Sequence, residues 1–395
     1  MINTRFDALG ESPFERLNRL IDGIEPGKPP IYMSLGEPQH PYPDWVGDVL
    51  NENRGVYGAY PPLRGSDDFL CAVTDWLVQR YALPENFIRS EQHIVPLSGT
   101  REGLFSAPQV IVPRRKNKQQ PAVLVPNPFY HAYAGAAVAV GAEPVYLPAT
   151  RDTGFMPNLD SLDDALLSRT AVFYICSPAN PQGTVASPAY LERLIELARQ
   201  FDFVVLSDEC YSEIYAAEPP PGILAAAATS GSLNNVLVFN SLSKRSSVPG
   251  LRSGFMAGDS DIVKRVRMMR SYGGALPSLP VLAAAAALWR DEAHVIENRR
   301  RYAGKFDIAE RIIGNRFGYY RPAGGFFLWL DVGDCEETTT TLWREAGLKV
   351  LPGGYVARSV PNEPNPGAPY IRLALVHDNA TTEEALTRLT SVLPS

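Results

Sequence analysis

The chain has 395 residues, of which 45% are hydrophobic and 20% are charged, and its formal net charge at pH 7 is −6. This length allows a large hydrophobic core and predicts two subdomains. The acidic balance argues against a general nucleic-acid binder, because contacts with phosphates need an excess of lysine and arginine.

The N-terminal segment predicts one amphipathic helix. Residues 1–10 lack the apolar core of a signal peptide, so we expect a cytoplasmic protein. In residues 13–24, PFERLNRLIDGI, one helical face carries Phe14, Leu17, Leu20 and Ile21. Apolar residues at this spacing are typical of a helix that buries one side.

Between residues 90 and 260 the pattern changes to short apolar runs separated in several places by helical stretches such as residues 187–201. This alternation predicts an α/β fold with a mostly parallel sheet flanked by helices. The runs are HIVPL (93–97), AVLV (122–125), AVFYI (171–175), FVVL (203–206), VLVF (236–239) and GFMA (254–257).

Polar and aromatic residues follow these runs, at the strand ends where ligands of parallel sheets bind. Taken singly, each has an ordinary structural explanation, such as a helix N-cap or a solvated lysine. Together they combine an aromatic ring, an amide, a carboxylate, a phenol, an amine and a turn that could bind an anion. The residues are Ser98-Gly99-Thr100, Phe129, Tyr130, Asn180, Asp208, Tyr211 and Lys244.

The remaining sequence gives no sign of a membrane span, a disulfide framework or a metal site. The longest apolar run, residues 281–289, is too short to cross a bilayer. The four cysteines lie far apart with no CxxC pair, which predicts reduced, buried thiols. They are Cys71, Cys176, Cys210 and Cys335.

Over nearly its whole length the chain resembles the class I and II aminotransferases, pyridoxal-phosphate enzymes of fold type I. The motifs are LGEP (35–38), YPPLRG (60–65), SGTREG (98–103), PNPFYHAY (126–133), SPANPQGT (177–184), SDECYSEIY (207–215), SLSKRSSVPGLRSGF (241–255), PAGGFFLWLDV (322–332) and IRLAL (371–375). The resemblance implies a large cofactor-binding domain, residues 46–289, with a mostly parallel central sheet flanked by helices. It also implies a smaller α+β domain built from residues 1–45 and 290–395.

The resemblance assigns the cofactor, pyridoxal 5'-phosphate (PLP), to these motifs. Lys244 is expected to hold the cofactor aldehyde as an imine and then to carry the proton at the substrate Cα. Asp208 would keep the pyridine nitrogen protonated. Tyr211 and Asn180 would hydrogen-bond the phenolic oxygen of the ring, and Tyr130, rather than its neighbour Phe129, would stack on the ring face.

The cofactor phosphate needs hydroxyls, backbone amides and a guanidinium around it. The resemblance implies a homodimer with shared sites, in which a tyrosine reaches the phosphate from the neighbouring subunit. The expected phosphate residues are Ser98, Gly99, Thr100, Ser241, Ser243 and Arg252, with Tyr60 from the partner.

The substrates implied are an amino acid, with glutamate as the expected donor, and a 2-keto acid. Arg372 would bind the α-carboxylate with its planar fork, near the Gly36 backbone and Asn180. Several motifs are similar to those of bacterial N-succinyl-L,L-diaminopimelate aminotransferases. One departure is Tyr-Gly-Gly at 272–274, where that group often has Tyr-His-Gly. The candidate readers of a distal carboxylate are Arg64, Arg101 and Arg270.

Two alternatives share the same motifs: a PLP-dependent lyase or β-eliminase, and an aminotransferase for aspartate or aromatic substrates. A third, a sensor domain of a transcription regulator, would need a basic helix-turn-helix domain ahead of the enzyme-like part. The LGEP motif falls within the first forty residues, so we do not expect this reading.

Overall fold

The computed structural model describes residues 4–274, 276–360 and 363–393. The strands are β1 Ile31–Tyr32, β2 Ile94–Leu97, β3 Ala122–Asn127, β4 Glu143–Pro148, β5 Thr170–Cys176, β6 Val204–Asp208, β7 Val236–Ser241, β8 Gly254–Gly258, β9 Phe327–Asp331, β10 Leu348–Lys349, β11 Leu351–Pro352 and β12 Tyr370–Ala374.

The helices are α1 Pro13–Leu20, α2 Trp45–Glu52, α3 Asp67–Tyr81, α4 Ser90–His93, α5 Thr100–Ser106, α6 Pro108–Ile111, α7 His131–Ala139, α8 Asp164–Arg169, α9 Pro188–Gln200, α10 Ile223–Thr229, α11 Leu242–Arg245, α12 Ser260–Gly273, α13 Leu279–Arg290, α14 Ala293–Ile313, α15 Cys335–Ala346 and α16 Asn379–Val392. Short 3-10 helices lie at Arg5–Leu9, Arg54–Gly58, Arg151–Thr153, Leu159–Ser161, Pro249–Leu251, Arg316–Gly318 and Gly353–Tyr355.

The central sheet has the strand order β2-β8-β7-β6-β5-β3-β4. Neighbouring strands from β7 through β4 are parallel, whereas β8 is antiparallel to both β2 and β7. The prediction of a mostly parallel sheet is therefore confirmed, and all six apolar runs are strands. Because β8 reverses direction, β2 points the same way as β7, which brings the end of β2 to the common carboxyl edge.

Both faces of the central sheet are buried, as its sequence pattern predicts. Along β5, Val172 and Tyr174 pack into one hydrophobic cluster, whereas Phe173 and Ile175 pack into another. Side chains alternate between the faces of a strand, so each cluster covers one face. Strands buried on both sides must be apolar throughout, which is why they appear as continuous runs.

There are two smaller sheets, and one of them joins the two ends of the chain. Strand β1 pairs in parallel with β10, and β12 lies between β11 and β9 with antiparallel pairing. A separate hydrophobic cluster beneath them contains Met33 from the N-terminal part and Leu348 and Leu373 from the C-terminal part. The domain boundaries at residues 45 and 290 stay a prediction.

The first helix is shorter than predicted. It begins with a capping box in which Ser12 and Glu15 exchange hydrogen bonds, and it ends at Leu20 rather than at residue 24. The chain turns at Gly23, which has a left-handed φ of 71°. Leu17 and Ile21 are buried as expected, whereas Phe14 is half-buried.

Two further expectations concern the thiols and the membrane. Cys176 and Cys335 are buried, but Cys71 on α3 is exposed, so the prediction of buried thiols is wrong there. Within residues 4–274, 276–360 and 363–393, no helix combines the length and the hydropathy that a bilayer span requires.

Candidate active site

The carboxyl ends of the parallel strands open into a cavity of about 510 Å³. The sequence predicts a site at this edge of the sheet. The polar residues that lie at the strand ends line the cavity. The sequence-predicted residues that line the cavity are Gly36, Thr100, Tyr130, Asn180, Asp208, Tyr211, Ser241, Ser243, Lys244, Arg252 and Arg372.

Lys244 lies in the short helix α11, directly after β7, and its amine is inside the cavity. Its Nζ donates a hydrogen bond to the carbonyl oxygen of Gly36 and lies 5.3 Å from the centre of the Phe326 ring. Burial, with Arg372 adding to it, lowers the pKa of the Lys244 amine to about 8, although Cys210 acts in the opposite direction. Such a lysine is a much better nucleophile at neutral pH than a solvated one.

Asn298 of α14 holds the helix that carries Lys244 through two hydrogen bonds. The Asn298 Nδ2 donates to the backbone carbonyls of Lys244, at 3.1 Å, and Arg245, at 3.2 Å. Its Oδ1 faces His40 Nδ1 at 2.9 Å. Sequence reasoning missed Asn298, because it lies 54 residues beyond the lysine and only the folded chain brings the two together.

Asp208 is a buried carboxylate at the end of β6, only 6% exposed. Its oxygens accept hydrogen bonds from the Tyr133 hydroxyl at 2.7 Å and the Cys210 amide at 3.2 Å. Burial raises the pKa of Asp208, and these hydrogen bonds oppose the rise. In the described part of the chain Asp208 forms no ion pair, so a cationic group brought into the cavity would stabilise its charged form.

Tyr133 is a site residue that sequence reasoning missed. It lies on α7 three residues after Tyr130, and the two rings meet edge to face with centroids 5.6 Å apart. Residues three apart on a helix share a face. Tyr130 is the N-cap of α7, and the spacing of the two tyrosines in YHAY (130–133) was a usable signal, because a phenol in the first turn of the helix can reach the neighbouring strand end.

The turn between β2 and α5 packs directly against Arg252. Gly99 has φ +83°, and a Cβ added there would lie 2.1 Å from Arg252 Nη2, so any other residue would strain the backbone and displace the guanidinium. The same Nη2 donates to the Ser98 carbonyl at 3.3 Å, and Nη1 donates to the Pro249 carbonyl at 2.9 Å. The guanidinium is therefore held at the cavity wall next to the turn.

Hydroxyl groups complete this corner of the cavity. Thr100 Oγ1 lies 3.0 Å from Cys210 Sγ, which ties α5 to the end of β6. Ser241 caps α11, and its Oγ accepts a hydrogen bond from the Ser243 amide at 3.1 Å. Three hydroxyls and one guanidinium thus line the same part of the cavity, which suits an anion such as a phosphate.

Arg372, on β12, also lines the cavity and is 5% exposed. Its Nη1 donates to Asn180 Oδ1 at 3.1 Å and its Nη2 to the Ser34 carbonyl at 2.6 Å. Among the described residues its Nε has no hydrogen-bond partner. Burial lowers the pKa of Arg372 to about 10. A buried guanidinium with an unused donor and no carboxylate partner is suited to bind an incoming carboxylate.

Some predicted residues lie outside the cavity lining. Ser98 and Gly99 flank the lining without contributing to it, and the Tyr60 side chain is fully exposed. Gly36 lines the cavity, but the contact seen is from its carbonyl oxygen to Lys244, not from its amide.

Of the three candidates for a distal carboxylate, only Arg101 lines the cavity. Arg64 forms ion pairs with Asp67 and Glu91 on the surface. The buried Arg270 donates to the Pro96 carbonyl and forms an ion pair with Glu102 at 3.6 Å.

The chain is similar in sequence and in structure to known aminotransferases. The family model for aminotransferase class I and II matches residues 31–389. An LL-diaminopimelate aminotransferase of Syntrophobacter fumaroxidans is 29% identical over 388 residues, 95% of each chain. A crystal structure of an aminotransferase from Neisseria meningitidis is 37% identical with a TM-score of 0.94, and the match covers 100% of both chains. The aminotransferase AspB of Helicobacter pylori is 33% identical with a TM-score of 0.89, over 97% of this chain and 98% of that one.

Proposed function

The chain belongs to the family of class I and II aminotransferases, and on that premise we propose that it transfers the amino group of L-glutamate to a 2-keto acid. The enzyme is a PLP-dependent transaminase. For the acceptor we propose N-succinyl-2-amino-6-ketopimelate, in lysine and diaminopimelate biosynthesis. The observation that carries the proposal is the placement of Lys244, Asp208 and Arg372 around one cavity.

The residues around the cavity fit PLP. When bound, PLP supplies an aldehyde carbon that takes up the amino group and a ring that accepts the electron pair of the substrate Cα–H bond. The buried Asp208 would hold a proton on the ring nitrogen, because its charge has no other ion-pair partner in the described residues. The hydroxyls of Thr100, Ser241 and Ser243, with Arg252, would bind the phosphate.

We assign the proton transfer to Lys244 Nζ, which would take the proton from the substrate Cα and hold it for return to the carbon that receives the amino group. A general base works best when its pKa lies near the working pH, and burial brings this amine to about 8. Tyr211 and Asn180 also line the cavity and would hydrogen-bond the ring oxygen. The Arg372 fork would hold the α-carboxylate and so orient the Cα–H bond.

Replacing Arg372 with alanine tests the carboxylate site. We expect KM to rise about 10- to 100-fold for every amino acid tested, because a charge-assisted pair to the common α-carboxylate is lost. Steady-state kinetics with glutamate and at least two other amino acids measure this. The matched control is Arg311→Ala on the exposed face of α14, which should leave KM unchanged. A loss confined to one amino acid would make Arg372 a side-chain reader.

Replacing Gly99 with alanine tests the phosphate corner. The conformation at φ +83° strains any other residue by about 1–3 kcal/mol, and the added Cβ displaces Arg252. We expect the dissociation constant of PLP to rise about tenfold or more, measured by absorbance titration of the apoenzyme. Gly47→Ala on α2, where nothing lies within 4 Å of the added Cβ, is the matched control. Equal PLP affinity in both variants would remove the turn from the phosphate site.

The proposed reaction is separated from its rivals by product analysis. A transaminase forms one 2-oxoglutarate for each aminated acceptor, whereas a lyase releases ammonia and pyruvate without needing an acceptor keto acid. Comparing N-succinyl-2-amino-6-ketopimelate with oxaloacetate and phenylpyruvate then ranks the acceptors. Three relatives named LL-diaminopimelate aminotransferases are 28–29% identical to this chain, which supports the pathway more than the succinyl group.

We also propose a homodimer in which Tyr60 reaches the phosphate of the partner subunit. Members of this family are generally dimeric, and this tyrosine is fully exposed, as is most of nearby Tyr57. Residues 1–45 and 290–395 would form the small domain, which closes over the substrate. Sedimentation of the holoenzyme tests the dimer, and a monomer with full activity would contradict it.

A further inference from the structure

One cavity-lining cation, Arg358, has no role in the reaction described so far. The positively charged side chains that line the cavity are Arg101, Lys244, Arg252, Arg358 and Arg372. Lys244, Arg252 and Arg372 are accounted for by the amine, the phosphate and the α-carboxylate. Arg358 lies on the segment that follows β11, together with Tyr355 and Val356, which also line the cavity.

The backbone at Arg358 is fixed by a fully buried amide. Asn127, at the end of β3, donates from Nδ2 to the Arg358 carbonyl at 2.8 Å and accepts from the Arg358 amide at 2.9 Å. The neighbouring Phe129 amide donates to the Val356 carbonyl at 2.9 Å. A buried amide is tolerated only when it is hydrogen-bonded, and here both of its ends hold Arg358. The segment is thereby tied to the sheet edge that carries the site.

The Arg358 guanidinium is half-buried and has no carboxylate partner in the described part of the chain. Its two terminal nitrogens donate to the backbone carbonyls of Ala357, at 3.0 Å, and Leu9, at 3.1 Å. Burial lowers the pKa of Arg358, and the positive charge of Arg16 lowers it further, against the effect of Tyr146. An anion that entered the cavity would relieve this uncompensated charge.

Arg358 lines the same cavity as Arg372, and the two residues come from neighbouring parts of the small sheet. In the small sheet, Leu351 of β11 is in register with Arg372 of β12, so Arg358 follows the strand next to the α-carboxylate site. Arg101, the other unassigned cation, lies on α5 beside the phosphate turn, and its Nε donates to the Tyr130 hydroxyl. Arg101 is therefore hydrogen-bonded to the tyrosine that we expect to stack on the cofactor ring.

We propose that Arg358 binds the distal carboxylate of dicarboxylic substrates and so determines the substrate class. The inference rests on the proposed function, since it takes the α-carboxylate to be held at Arg372. Each terminal nitrogen of Arg358 keeps a second N–H, which a carboxylate can accept in bidentate fashion. The Phe129 ring, with its centre 5.4 Å from the guanidinium carbon, limits the positions that the side chain can take.

The test compares dicarboxylate and monocarboxylate binding to the holoenzyme. Isothermal titration calorimetry gives the dissociation constants of glutarate and butyrate for the wild type and for Arg358→Met, Arg358→Lys and Arg101→Met. We expect Arg358→Met to weaken glutarate about 10- to 100-fold with butyrate unchanged, as the loss of a charge-assisted pair predicts. Arg358→Lys should restore part of the difference, and Arg101→Met should leave the ratio unchanged.

Several outcomes would overturn the assignment of Arg358. These are an unchanged glutarate constant in Arg358→Met, an equal loss for both ligands, and a selective loss in Arg101→Met instead. Failure of the proposed function would look different. A wild-type holoenzyme that binds glutarate tightly but does not exchange its amino group with L-glutamate would reject the transaminase reaction, while the two binding constants would still decide the role of Arg358.

Discussion

Lys244→Ala is expected to lower kcat/KM by at least about 10⁴-fold, the largest loss of any single substitution in this chain. In the proposed mechanism the lysine is both the nucleophile toward the cofactor and the proton carrier at the substrate Cα, and acid–base catalysis alone contributes up to about that factor. No other lysine lines the cavity in the described residues, so no neighbour can take over. Single-turnover kinetics with glutamate, monitored by absorbance, measure the loss.

The matched control for this prediction is Lys264→Ala on the exposed side of α12, which should retain full activity. Retention of full activity by Lys244→Ala itself would reject the site.

The low pKa of Lys244 adds a second test, because only the neutral amine attacks an aldehyde. With a pKa of about 8, about a tenth of Lys244 is neutral at pH 7, roughly 300 times the fraction of an ordinary lysine. The rate at which wild-type apoenzyme takes up PLP should therefore rise with pH and level off above about pH 8.

Asp208→Asn is expected to lower kcat by about 10²- to 10⁴-fold with the fold intact. The side chain keeps its shape, and its amide oxygen can still accept from the Tyr133 hydroxyl or the Cys210 amide. It loses the charge that, in the proposed mechanism, would stabilise a protonated ring nitrogen, and removal of electrostatic groups of this kind costs about 10²-fold or more. Activity and the dissociation constant of PLP should both be measured, because the lost ion pair also weakens the bound cofactor.

Asp160→Asn, on the surface, is the control for the same chemical change and should have no effect. Unchanged kinetics in Asp208→Asn would contradict the role of Asp208 at the ring nitrogen. A loss that is recovered fully at high PLP concentration would mean that Asp208 only aids binding.

The strands and the edge that carries the site were predictable, because strands buried on both faces must be apolar throughout. Each of the runs that end before Tyr130, Asn180, Asp208 and Lys244 is a strand of the central sheet. The parallel direction of the strands brings their carboxyl ends together. Functional side chains that are more than a hundred residues apart in the chain could therefore be assigned to one cavity from the sequence alone.

The residues that position the site were harder to predict, because their partners are set by tertiary packing. Asn298 and Arg358 come from parts of the chain that carry none of the sequence motifs quoted for the family. Arg64 and Arg270 were reasonable candidates as cations near motifs, but local acidic residues and a backbone carbonyl already satisfy them. The proposed approach of Tyr60 to the cofactor of a partner subunit would involve a second chain, which a single sequence cannot place.

The central claim is that this cavity exchanges an amino group with L-glutamate through PLP. It is tested most directly by the visible absorbance spectrum of the purified holoenzyme, recorded before and after addition of L-glutamate without any keto acid. We predict loss of the yellow band of the lysine-bound cofactor and gain of the band of the aminated cofactor, reversed when a suitable keto acid is added. A protein that remains colourless when PLP is supplied, or a yellow protein whose spectrum does not respond to glutamate, would contradict it.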